Sequence, residues 1–316
     1  MTVVITWIVA CIAIISVGVF AGKGMKGEGQ WSGEDRSMSM WNLAFIFGGF
    51  QIGGMAIVGA AQNGYTMGIA GAWYSIAGSC YLLALAVVGR FLHKNMPGIS
   101  VPLYLSQRYG LAPSRLYSYV WIIYGFLYIP MQLITICSII NIVLPQLPTA
   151  PAMLVGITLG ALYTSFAGLK GAAAVGRVCC IGIYVVLVIF VFVTLPNFGG
   201  FGGLLSELPE SYASMGAMPT QRVVAWVLGG IISTSILQAV LQPLLSAKNP
   251  DTARKGAALG YLVSAPVCIF TAIIGMMGAA STDTLGDGST AFAWTVREYS
   301  NPVVAGIIFA VATIII

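Results

Sequence analysis

The run Gly48-Gly49-Phe50-Gln51-Ile52-Gly53-Gly54 lies inside an apolar stretch, residues 40–61, that is long enough to cross a bilayer. A crossing takes about 20 mostly apolar residues as a helix. Each glycine in a helix interior weakens it by about 1 kcal/mol relative to alanine, so a crossing with this centre is predicted to break near its middle. A second stretch, 223–245, has the same character, with Gly229-Gly230, Ser233-Thr234-Ser235, Gln238 and then Gln242-Pro243. Proline removes a backbone donor and strains the preceding turn.

Seven more stretches, 2–21, 70–89, 117–144, 150–167, 178–196, 257–280 and 302–316, bring the apolar spans to nine, and none contains Asp, Glu, Lys or Arg. The whole chain of 316 residues is 58% apolar and 7% charged, where a soluble domain carries about a quarter charged residues. The reading is an all-α, polytopic membrane helix bundle, a single domain over 1–316 with the lipid bilayer as its solvent. Residues 2–21 are taken as a true span and not a secretion signal, because Lys23 and Lys26 follow it and no basic residue precedes it. The ninth stretch stops in the apolar run Ile314-Ile315-Ile316 with no polar cap behind it, so the chain is expected to be truncated there.

Short cytoplasmic loops collect Lys and Arg. Lys23, Lys26, Arg36, Arg90, Lys94, Arg108, Arg115, Lys170, Arg177, Lys248, Arg254 and Lys255 fall on alternate loops of one side, and only Arg222 and Arg297 on the other. That split places the N-terminus outside a multi-pass protein of the cell (plasma) membrane. It also accounts for the net charge of +5 without nucleic acid, since no basic cluster of the kind that tracks phosphates is present. Six cysteines lie in apolar spans without metal-ligand spacing and His93 is the sole histidine, so neither metal nor thiol chemistry is indicated. Paired carboxylates are missing from the spans as well, and intramembrane catalysis needs such groups; the chain is not read as an enzyme. The longer segments 197–222 and 281–301, rich in Gly, Ser, Pro and acids, read as solvated connections.

The two glycine-interrupted spans are the second and the seventh, five helices apart. If 1–21 is a leading helix, 40–196 forms a five-helix repeat and 223–316 an incomplete inverted partner. In transporters built from inverted repeats the first helix of each repeat is broken near the midplane, where freed carbonyls hold a cation and helix N-termini face the solute. Small residues also serve close helix packing, which is the reading given to Gly156 and Gly160; for spans 2 and 7 the matched placement favours a site.

The sequence also resembles the sodium:solute symporter family along its whole length. The matching residues are Tyr65 to Gly68 leading to Trp73-Tyr74, Val101-Pro102-Leu103-Tyr104-Leu105 with Arg108-Tyr109-Gly110, Ala167-Gly168-Leu169-Lys170, and Gln242 with Leu245-Ser246-Ala247-Lys248 through Thr252-Ala253-Arg254-Lys255-Gly256. This resemblance implies the leucine-transporter-like fold and sodium as coupling ion. It implies sodium ligands at the backbone carbonyls of Gly49, Ile52 and Ile315, with a hydroxyl pair just beyond Ile316. It also implies solute contacts at Gln51, Met55, Ala56, Tyr74, Ser75, Thr234, Ser235 and Gln238. Competing readings are an interfacial aromatic anchor for Tyr74, interhelical hydrogen bonds for Gln51 and Gln238, and plain packing for Met55.

Four positions depart from the family's pattern: Gln51, where some members carry an acid, Arg177 after Gly176, where many do, Leu103 in place of the usual acid of the loop motif, and Pro243 in place of the usual Arg after Gln242. The expected activity is sodium-coupled uptake of a small-molecule solute by alternating access. Two alternatives stay open, a proton-coupled or exchange transporter of the same fold and a membrane solute sensor that does not transport. The absence of charge at membrane depth points to an uncharged or zwitterionic solute.

Overall fold

The computed structural model describes residues 1–316 apart from 24–26, 97 and 234–236, with the side chains of 163, 164, 166, 167 and 233 also outside the description. Every described element is helical, save one isolated bridge between Met38 and Ala247. Five stretches, Thr2–Gly22, Met55–Asn95, Leu111–Val143, Gly168–Phe198 and Pro250–Ser281, are long and apolar enough to cross a membrane. Thr149–Leu162, Thr220–Ile232 and Pro302–Ile315 are shorter apolar helices.

Span 1 is Thr2–Gly22, and it buries Trp7, Cys11, Ile14, Gly18 and Gly22. Those positions advance by three or four residues, so they form one narrow face, while Ile5, Ile8, Val9, Ile12 and Phe20 stay exposed where lipid would lie. The buried face packs on spans 6 and 9, and Trp7 Nε1 donates to Thr313 Oγ1 at 3.2 Å.

Span 2 starts at Met40, where Ser39 Oγ accepts from Asn42 N. The helix Met40–Gln51 ends where the Ile52 N–H closes onto the Gly48 carbonyl at 2.8 Å and Ile52 turns to φ −81°, ψ 51°. Bonding resumes with Ala56 N to Gly53 O at 3.0 Å, and a π-turn Met55–Gly59 leads into the helix Ala60–Met67. The predicted break therefore falls at residues 52–54, and the span runs on past residue 61. Gly68, at φ 67°, turns the chain, and span 3 rises through Gly68–Ala72, Trp73–Gly78 and Cys80–Asn95 with a bend at Ser79.

The loop 90–116 contains a surface helix, Val101–Tyr109, capped by Ser100. Span 4, Leu111–Val143, is longer than the apolar run alone suggested. Spans 5 and 6 lie within Thr149–Thr194 and are separated at Gly168 (φ 51°, ψ −157°). A side chain there would sit 2.6 Å from the Trp31 carbonyl oxygen, so the close approach as well as the positive φ requires glycine. Span 7 comprises Thr220–Ser233 and Gln238–Leu245, with Leu237 extended before the second helix. Span 8 comprises Pro250–Ser264 and Val267–Ser281, bent at Ala265-Pro266. This bend was not anticipated, and its cause is Pro266, which cannot donate to the helical ladder. Span 9 is Pro302–Ile315, capped by Asn301.

Spans 2, 3, 7 and 8 form one mutually packed group, with span 8 lying along both parts of span 2. Two glycines make this possible. A Cβ on Gly64 would lie 2.7 Å from Ala272 Cα and one on Gly275 would lie 2.8 Å from the Ala61 carbonyl carbon, so the backbones of spans 2 and 8 touch.

The loops sort into two ends. At one, Met38 N donates to Ser246 O and Lys248 N to Met38 O, Gln242 Nε2 to Ser32 O, Arg36 to Met96 O, and His93 Nε2 lies 2.8 Å from Ala247 O. Lys170 pairs with Asp35 at 3.1 Å and Arg90 with Asp251 at 3.5 Å. At the other, Tyr65 bonds Thr282 O, Tyr212 bonds Tyr65 O, Trp73 bonds Met215 O and Arg297 bonds Ile142 O. The basic loops thus gather at the first end, as an alternating chain of nine spans requires.

Candidate functional site

Breaking span 2 leaves backbone polar groups at mid-bundle, and two cavities open beside the break. The first, of about 270 Å³, is bounded by Gly49 and Gly53 of span 2, Gln132 of span 4, Gly176 of span 6 and Ile314 to Ile316 of span 9. It unites Gly49 with Ile315, two of the three positions whose carbonyls the resemblance offers to sodium. Ile52 is fully buried beside it and does not line it. Gly49 is open enough that an added Cβ would meet only Gly176 Cα, at 3.6 Å. Among the described residues there is no cluster of His, Cys, Asp or Glu that could hold a metal, so backbone carbonyls and the Gln132 amide oxygen are the donors on offer for a hard cation.

The second cavity, of about 170 Å³, is lined by Gln51 and Met55 at the break, Tyr74 of span 3, and Tyr124, Tyr128 and Gln132 of span 4. Tyr74 is held edge-on to Trp226 of span 7, ring centres 5.4 Å apart. Of the eight positions expected to touch solute, the structure brings together Gln51, Met55 and Tyr74. Thr234 and Ser235 lie outside the described residues.

The other three have different tasks in this conformation. Ala56 is fully buried, and its carbonyl accepts from Thr271 Oγ1 at 3.0 Å and from Cys268 Sγ at 3.3 Å. Ser75 is equally buried and donates to Ser264 O at 2.8 Å, one of the carbonyls that the bend in span 8 strips of a helical partner. Tyr184 serves the neighbouring Val263 carbonyl in the same way. Gln238 sits at the basic end, where Nε2 donates to Ile99 O and Oε1 accepts from Val101 N, both at 3.0 Å. It pins the start of the surface helix to span 7.

Tyr124, Tyr128 and Gln132 were not singled out in the sequence, although Tyr117, Trp121, Tyr124, Tyr128 and Gln132 recur at helical spacing and so share one stripe of span 4. Arg177 bonds Asn42 Oδ1 at 2.6 Å and lies 5.6 Å above the Phe45 ring, tying span 6 to the basic end of span 2. Among the described residues no Asp, Glu, Lys, Arg or His lines either cavity. The perturbed carboxyls lie in the loops. Asp35 is partly buried, which raises its pKa, but hydrogen bonds from Ser37 and the Lys170 ammonium outweigh burial and hold the carboxyl below the usual range. Asp287 is lowered by its hydrogen bonds from Ser289.

A polytopic bundle whose spans are broken around central cavities, one near-apolar and flanked by carbonyls, defines a membrane transporter rather than an enzyme. Sequence comparison is consistent with that class: a profile of the sodium:solute symporter family matches residues 33–315. The chain belongs to the sodium:solute symporter family. Curated proteins give no sequence match. Among solved structures, the substrate-bound outward-open state of a Na+-coupled sialic acid symporter superposes on all of this chain and 70% of its own length, with a TM-score of 0.80 at 14% identity. At that identity the likeness establishes the fold.

Proposed function

We propose that the chain carries a small uncharged or zwitterionic organic solute inward together with sodium, by alternating access. The observation that carries this reading is the pair of adjoining cavities at the span 2 break. One joins Gly49 to Ile315, the other gathers Gln51, Met55 and Tyr74, and Gln132 and Tyr128 line both. Sodium in the first cavity would fix the break and the facing part of span 9, and so shape the second for solute. Inward movement of the ion releases about 2.3 kcal/mol per 100 mV, in addition to its concentration gradient. The packed group of spans 2, 3, 7 and 8 then moves against spans 4, 5, 6 and 9, opening the basic end, which is cytoplasmic in this reading, with the N-terminus outside. The five-helix repeat at 40–196 and its incomplete inverted partner at 223–316 supply the symmetry for that movement.

Proton coupling is disfavoured because it calls for a group that titrates near neutrality at the cavities, and the described lining residues include no carboxylate or histidine, only amides, tyrosines, one cysteine and apolar residues. The test is uptake into proteoliposomes of amino acids, sugars, vitamins and small carboxylates under an inward sodium gradient, with potassium and an inward proton gradient as controls. Uptake driven by sodium alone is expected. Uptake driven equally by protons, or by neither, overturns the reading.

A further inference from the structure

We propose that Gln132 of span 4 is a solute-binding residue, and that the solute is a neutral ring compound with N–H or O–H donors on its edge; this rests on the second cavity being the solute site. Gln132 stands opposite the span 2 break, with Oε1 3.0 Å from the point a Cβ on Gly54 would occupy. Its Nε2 donates to Tyr128 Oη at 2.6 Å, which fixes the plane of the amide and directs Oε1 away from Tyr128. That oxygen is buried and has no hydrogen-bond partner. A buried acceptor left unmade is unfavourable, so a ligand that brings a donor to it gains an interaction the empty site has to forgo.

The surroundings of Gln132 define the rest of the ligand. Tyr128 stacks on Tyr124 (ring centres 5.3 Å, planes 17° apart), Tyr124 on Trp121 (5.0 Å, 17°) and Trp121 on Tyr117 (6.4 Å, 5°). At about 1.5 Å per residue, this aromatic stripe runs about 17 Å along span 4 from Tyr117 to Tyr128. It starts in the cavity at the break and continues into a second apolar cavity of about 290 Å³ towards the basic end, and Tyr124 and Leu237 border both. Rings stacked on one another leave their edges free, and an aromatic edge packs favourably on the flat face of another ring. Among the described residues lining the cavity at the break none is charged, so a carboxylate or ammonium on the solute would meet no counter-ion there and would be desolvated at a loss. A neutral ring satisfies both conditions, with its face against the edges of Tyr124 and Tyr128 and a donor on Gln132 Oε1, and the row of ring edges offers it a continuous surface on the way out.

The test is thermal unfolding of the full chain in sodium and in potassium with two matched probe pairs. These are uracil against N,N′-dimethyluracil, which lacks the donors, and myo-inositol against mannitol, which is open-chain. At least one ring probe is expected to stabilise the protein in sodium, with its partner at least tenfold weaker. Gln132→Met, close in shape but without the acceptor, is expected to weaken that probe tenfold or more while keeping the shift produced by sodium alone; should that variant not fold, Tyr124→Leu is read in the same way. Unchanged binding in the variant, equal binding of the partner probes, or a sodium shift with no response to either ring probe overturns the inference. Ring binding that is lost in Gln132→Met but indifferent to sodium supports it and overturns sodium coupling instead.

Discussion

Replacing Gly64 by alanine tests whether the broken second span and span 8 move as one body. A Cβ at Gly64 would lie 2.7 Å from Ala272 Cα and 2.8 Å from its carbonyl carbon, and closer still to the oxygen. Carbon atoms rest at about 3.5 Å or more, so the two backbones must separate by about 0.8 Å. Neither can yield locally, because both are helical and the contact is reciprocal at Gly275 and Ala61. Overpacking of this kind costs about 1–3 kcal/mol. With about 2–4 °C per kcal/mol for a chain of 150 residues or more, the loss is about 2–12 °C in Tm, read at one fixed scan rate because membrane proteins commonly unfold irreversibly. Gly125→Ala on span 4, where an added Cβ meets nothing within 4 Å, is the control and is expected to be neutral or slightly stabilising. Gly64→Ala should also slow solute uptake more than its stability loss explains, since a spread crossing uncouples span 8 from the break. A Tm and an uptake rate equal to those of Gly125→Ala would refute the reasoning.

Ser75→Ala removes the donor to the Ser264 carbonyl and leaves that oxygen buried and unpaired, at about 1–3 kcal/mol; the drop in Tm should be the same with and without sodium or solute, and a loss confined to the solute-bound protein would place Ser75 in the site. Gln238→Leu releases Ile99 O and Val101 N together, so hydrogen exchange at Val101 should speed up at least tenfold with span 7 otherwise intact; an unchanged rate would show that the surface helix is held by other contacts. The depressed Asp35 carboxyl contributes stability that is present above its unfolded pKa of about 3.9 and is lost as pH falls through its lower folded value. Both partners are partly exposed, at 24% and 33%, so Lys170→Met should remove only about 0.2–1 kcal/mol near neutrality and flatten the acid limb below pH about 4; an acid limb identical to that of the wild type would separate Lys170 from Asp35.

Hydrophobicity and charge alternation made the nine spans legible, and four glycines within seven residues made the break in span 2 legible to within a few positions. The bend in span 8 was equally available in Pro266, but a proline inside a long apolar run does not say whether neighbours will repair the exposed carbonyls. Ser75 and Tyr184 do so here from two other helices. The same limit applies to Gln238. A glutamine inside a broken span suits a solute site, and its actual partners, Ile99 O and Val101 N, lie about 140 residues away in sequence, beyond what spacing can reveal. On span 4 the aromatic stripe was periodic, yet tyrosines in a membrane helix suit lipid, packing and ligand equally until Tyr124 and Tyr128 are found turned towards the break.

Sodium binding at the span 2 break is tested most directly by the melting temperature of the purified protein titrated with sodium against potassium at constant ionic strength, for the wild type and for Gly49→Leu. The leucine side chain would fill the cavity that Gly49 shares with Ile315. A ligand that binds only the folded state at 100 times its Kd stabilises it by about 2.7 kcal/mol. The wild type should therefore gain several degrees in sodium and nothing in potassium, and Gly49→Leu should gain in neither. Equal stabilisation by both ions, or an undiminished sodium response in Gly49→Leu, would contradict a sodium site at the break.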